Sequence, residues 1–118
     1  RKEISIVIKK LFFAWIFNTG VSDDLREQTE LAIETCDECH CNDAATEALA
    51  DMLEYADRAD KTDYEIYQMA KCAIILDAEY NSEPDGRIPN VDDTFEWIKR
   101  IIRMVNTGRI TMSSVRID

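Results

Sequence analysis

Three of the chain's four cysteines, Cys36, Cys39 and Cys41, fall within six residues and flank its single histidine, His40. At helical spacing Cys36-x-x-Cys39 puts two thiols on one face, and His40, Cys41 and the distant Cys72 could complete a tetrahedral zinc site. Two observations weigh against zinc. No second Cys-x-x-Cys pair exists, and Cys36 and Cys39 prolong an apolar stripe running from Leu25 through Ala32, where a free buried cysteine is an ordinary core residue. The core reading is preferred. A Cys-His nucleophile fares worse, because Cys39 and Cys41 point about 100° away from His40 around a helix, leaving only Cys72 as its partner.

A second ligand-type pattern runs from Asn81 to Asp92. It resembles a twelve-residue EF-hand loop, with side-chain oxygens at Asn81, Glu83, Asp85 and Asp92, Gly86 at the sixth position and Ile88 at the eighth. It departs from that pattern in having Asn at its first position and Asp where a bidentate Glu belongs, and no second such loop is present to pair with it. A tight turn at Pro84-Asp85-Gly86 accounts for the same residues without calcium. Neither metal site is favoured and no cofactor is expected. Gly20, Gly86 and Gly108 stand singly, so no phosphate-cradling loop is present. The abundant carboxylates sit on regular solvent-facing stripes, unlike a general acid, which needs a desolvated site to raise its pKa. The chain is expected not to be an enzyme.

The most distinctive chemistry is charge. Read at helical spacing, Asp23, Glu27, Glu30, Glu34 and Asp37/Glu38 form one stripe, and Asp43, Glu47, Asp51, Glu54 and Asp57 form a second, with a break at residues 40–42. The formal net charge is −10, yet residues 22–85 alone carry nineteen carboxylates against Arg26, Arg58, Lys61 and Lys71, a net of −15, while the two ends are mildly basic. Lys or Arg at i+4, the usual compensation, is nearly missing, so neighbours on each ridge repel by a few tenths of a kcal/mol. Such a surface repels nucleic acid and anionic membranes and attracts a basic partner. The small basic group Lys99, Arg100 and Arg103, interleaved with Glu96, is expected to pair with acidic residues within the chain or in a second copy.

These ridges need helices to hold them. A length of 118 residues with 46% hydrophobic content suits one domain with a real core, spanning residues 1–118. Ile4, Val7, Ile8, Leu11, Phe12, Trp15 and Ile16 follow a period of 3.6, widened by Ile6, Phe13 and Phe17, and predict a first helix ended at Asn18-Thr19-Gly20. Ile4, Ile6 and Ile8 also alternate, so residues 3–8 and 109–117 have a rival reading as two short strands pairing the termini. Ser22 or Asp24 caps a second helix to about residue 40; Asn42 caps a third to about Ala59; Thr62-x-x-Glu65 forms a capping box for a fourth, to Tyr80; and Asp92 or Asp93 starts a fifth, ended at Gly108.

The expected fold is therefore all-α, a compact bundle of four to five helices. Free cysteines in a chain with no segment long enough to span a membrane point to the cytoplasm. The expected function is non-enzymatic: an acidic protein that occludes the basic, nucleic-acid-facing surface of a partner, in the manner of an immunity protein or a phage-type DNA mimic, without touching nucleic acid or membrane itself. Two alternatives belong to other classes. One is a small metal-binding module, with zinc on the Cys36/Cys39/Cys41/Cys72 cluster or calcium on the 81–92 loop. The other is a structural or adaptor protein that forms a homo-oligomer through its apolar first helix.

Overall fold

The computed structural model describes residues 2–38, 43–80 and 90–115. They form five α-helices, α1 (Lys2–Ile16), α2 (Asp23–Glu38), α3 (Asp43–Ala56), α4 (Asp63–Tyr80) and α5 (Val91–Asn106), followed by a short 3₁₀ turn at Met112–Ser114. The protein is an all-α bundle. The strand alternative is corrected: residues 3–8 lie inside α1, residues 109–115 contain no strand, and residues 116–118 fall outside the described part. The reason is length. The alternation of Ile4, Ile6 and Ile8 spans five residues, whereas the helical stripe of Ile4, Val7, Leu11, Ala14 and Trp15 buries a whole face of α1.

Helix ends follow local side-chain chemistry, sometimes through a different residue from the one the sequence suggests. At the end of α1 the Thr19 N–H donates to the Ala14 carbonyl (3.1 Å) and the Asn18 N–H to that of Trp15 (3.3 Å). This is a Schellman motif whose left-handed residue is Asn18, at φ 54°, and not Gly20. The end of α5 repeats it with glycine: Arg109 donates to Met104 (2.8 Å), Gly108 to Val105 (3.1 Å), and Gly108 sits at φ 75°. Ser22 caps α2, its Oγ accepting from the Leu25 N–H at 3.1 Å. Asn90 caps α5, its Oδ1 accepting from the Asp93 N–H at 3.0 Å, so the start falls before Asp92 and leaves both aspartates in the positive first turn. Only half of the expected Thr62/Glu65 box forms: the Glu65 N–H donates to Thr62 Oγ1 (3.2 Å), but the Glu65 carboxylate turns to Arg58.

The core runs through α3. This helix packs on α1, α2 and α4; α1 also packs on α2, and α4 on α5. Trp15, Leu11, Leu49, Met52, Met69, Leu76 and Ile98 are fully buried at their junctions. Thr29 is the buried polar residue among those described, and its hydroxyl donates to the Leu25 carbonyl at 2.7 Å, so its burial leaves no unmet hydrogen bond. Asp57 joins the start of α2 to the end of α3, and Lys61, just ahead of α4, reaches back to Asn18 at the end of α1. These contacts fix α1 to α4 as an up-and-down set.

Candidate functional site

The acidic stripes lie on the outer backs of α2 and α3. On α2 the inward positions Leu25, Thr29 and Ala32 are buried, and Asp23, Glu27, Glu30 and Glu34, about half a turn away, are exposed. On α3, Ala45, Ala48, Leu49, Met52 and Ala56 face in, and Asp43, Glu47, Asp51 and Glu54 face out. The side chains of Asp37 and Glu38 lie outside the described residues.

Two ridge residues are engaged within the fold. Asp57 forms an ion pair with Arg26 and accepts a hydrogen bond from the Val21 N–H (3.1 Å). Glu54 pairs with Arg58 at 2.8 Å, and Arg58 spans to Glu65 at 3.2 Å while lying over the Tyr55 ring. Lys61 donates to Asn18 and sits 5.7 Å from the centre of the Trp15 ring, its pKa lowered by burial. Three of the four cations in the acidic block thus gather at one end of the bundle. The remaining seven described carboxylates, Asp23, Glu27, Glu30, Glu34, Asp43, Glu47 and Asp51, are exposed and carry no ion pair among the described residues.

The metal candidates are not assembled in the described part, where no three His, Cys, Asp or Glu side chains come together as ligands. Cys39, His40, Cys41 and the Cys36 side chain lie outside it, as do Asn81, Glu83 and Asp85, while Asp92 is exposed in the first turn of α5. Cys72 is a core residue, 5% exposed, and burial together with the charge of Asp51 pushes its thiol up to about 11. At neutral pH it is a protonated thiol, a poor nucleophile. The basic group on α5 is only partly engaged: Lys99 approaches Glu96 at 3.9 Å and covers the Phe95 ring.

A second feature was not visible residue by residue. Between α1 on one side and α4 with α5 on the other, a groove of about 750 Å³ opens over the Met52 floor. Its walls are Ile8, Phe12, Phe13, Ile16 and Phe17 from α1 and Ala73, Ile74, Trp97, Ile98 and Ile101 opposite, with Ile110 and Val115 from the C-terminal segment. Trp97 is 56% exposed and stacks on Phe12 with centroids 6.5 Å apart. The signal available in the sequence was excess: Phe13 and Phe17 beside the α1 stripe, and Trp97 beside that of α5, are more apolar surface than one bundle core covers.

Compared with protein-family models, curated proteins and solved structures, the chain matches none, so its function has to be read from its own residues. No helix among the described residues is long and apolar enough to cross a membrane.

Proposed function

We propose that the protein is a non-enzymatic acidic binding protein, whose α2 and α3 backs cover the basic, nucleic-acid-facing surface of a partner protein. One observation carries this reading: seven exposed carboxylates in two rows on adjacent helices have no cation within the described fold, because Arg26, Arg58 and Lys61 are held at one end. Such rows raise the folded state's own electrostatic energy, and a cationic surface relieves it. Carboxylates one helical turn apart, about 5–6 Å, approximate the spacing at which Lys and Arg meet backbone phosphates. Steering by the net charge of −10 would speed encounter, and occlusion would do the rest. An immunity protein or a phage-type DNA mimic works by the same physics, and a cytoplasmic setting suits the free thiol of Cys72.

The test is binding to a panel of basic nucleases and polymerases at low and high salt, with wild type and with Glu30→Lys/Glu34→Lys/Glu47→Lys/Asp51→Lys. The reading requires association that weakens with salt and collapses in the variant. Association indifferent to both would sink it.

A further inference from the structure

The groove between α1 and α4/α5 is lined by none of the ridge carboxylates, and Met52 on its floor points about 100° round α3 from Asp51 and about 140° from Glu47. Its volume, about 750 Å³, lies within the range of ligand-binding clefts, and Trp97 on its wall is 56% exposed, so it has room for apolar side chains from a helix laid against it. Its charged linings among the described residues are unequal. Asp77 and Asp93 stand on the α4/α5 wall against Lys9 on the α1 wall, within a chain of net charge −10.

From this charge complementarity we infer that the groove is a docking site for an amphipathic helix of a partner protein that carries Lys or Arg beside its apolar stripe. The apolar stripe replaces water over Phe12, Ile74 and Ile101, and the flanking cations meet Asp77 and Asp93. An acidic helix is repelled by those carboxylates and by the field of the whole chain. Trp97 forms the lip. Its ring is stacked on Phe12 but more than half exposed, so an incoming helix completes its burial.

Trp97 supplies the readout, since the other tryptophan, Trp15, is fully buried and gives a constant background. The full chain is titrated with a synthetic Leu/Lys peptide of about fifteen residues, long enough to hold a helix, with leucines at i, i+3, i+4 and i+7, and with a counterpart in which every Lys is Glu. The Leu/Lys peptide should give a saturable blue shift of the emission, lost in Trp97→Phe, and the Glu peptide should bind at least about tenfold more weakly. Asp77→Lys/Asp93→Lys should lower the Leu/Lys affinity about tenfold, and the milder Asp77→Asn/Asp93→Asn pair should lower it in the same direction if the reversal impairs folding. The quadruple reversal on α2 and α3 should keep the blue shift and its dependence on Asp77 and Asp93, which separates this site from the acidic backs whatever becomes of the function proposed for them. The inference is overturned if the two peptides bind alike, if the Asp77/Asp93 variants bind as wild type does, if the shift disappears with the reversal on α2 and α3, if a fatty acid shifts Trp97 where the peptides do not, or if chromatographic mass shows a second copy already covering Trp97.

Discussion

The outer backs of α2 and α3 and the groove of α1, α4 and α5 are made from opposite materials and relate to the fold in opposite ways. The acidic backs contribute little to stability. Seven of their carboxylates are exposed and carry no ion pair among the described residues, and the like-charge rows work against folding by a few tenths of a kcal/mol per neighbour. The groove is continuous with the core. Ile98 is fully buried and Ile16 is 3% exposed, yet both line it, and the Met52 floor is 1% exposed. Surface that contributes nothing to folding is free to be shaped by a partner, whereas the groove can change only as far as the core allows.

That contrast can be broken in order of expected effect. Ile98→Ala removes a fully buried side chain shared by core and groove and should destabilise the protein by about 2–5 kcal/mol in urea unfolding. A loss below about 1 kcal/mol would mean that the groove wall is independent of the core. Reversing Glu30, Glu34, Glu47 and Asp51 to Lys should weaken association with a basic partner by ~2 kcal/mol or more, from several rim charges of modest individual worth, while urea unfolding stays near or slightly above wild type. A comparable loss of stability in that variant would show the ridges to be structural. Arg26→Ala breaks an exposed ion pair, with both side chains about two-fifths exposed, and should cost no more than about 1 kcal/mol in the same experiment.

The smallest effect is a pH dependence. The Cys72 thiol titrates near 11 when folded, raised by burial from 9.0, so the unfolded chain loses this proton first as pH rises. Its contribution to stability is complete below pH 9 and falls between about pH 9 and 11. Tyr55, raised mainly by burial, adds in the same direction at higher pH. Cys72→Ala should flatten the decline measured by urea unfolding across that window, and an unchanged slope would remove Cys72 as its source.

Much of the fold was legible because it rests on local pattern. The stripe of Ile4, Val7, Leu11 and Trp15, the hydroxyls of Ser22 and Thr62 and the glycine at 108 each act within a turn or two of chain, and each does in the structure what its spacing implies. What spacing did not show is which partner each side chain takes. Glu65 leaves its capping box because Arg58, seven residues earlier, offers a charged partner. Asp57 and Glu54 do face outward, but Arg26, thirty-one residues from Asp57, and Arg58, four residues from Glu54, pair with them at the surface. Asn18 takes the left-handed position that closes α1, which Asn tolerates, and its side chain accepts from Lys61, forty-three residues away, while Gly20 two residues on is left-handed as well. The groove was illegible for the same reason: it needs residues of α1, α3, α4 and α5 at once, and periodicity says which face is apolar but not which apolar faces fail to meet.

The central claim is that the acidic backs act by displacing nucleic acid from a basic protein. Its most direct test is competition: a basic nuclease or polymerase bound to labelled duplex DNA is challenged with wild type and with Glu30→Lys/Glu34→Lys/Glu47→Lys/Asp51→Lys. The account predicts that wild type releases the DNA from at least one such protein, less effectively as salt rises, and that the variant does not. Equal release by both proteins, or release by neither from any partner tested, would contradict it.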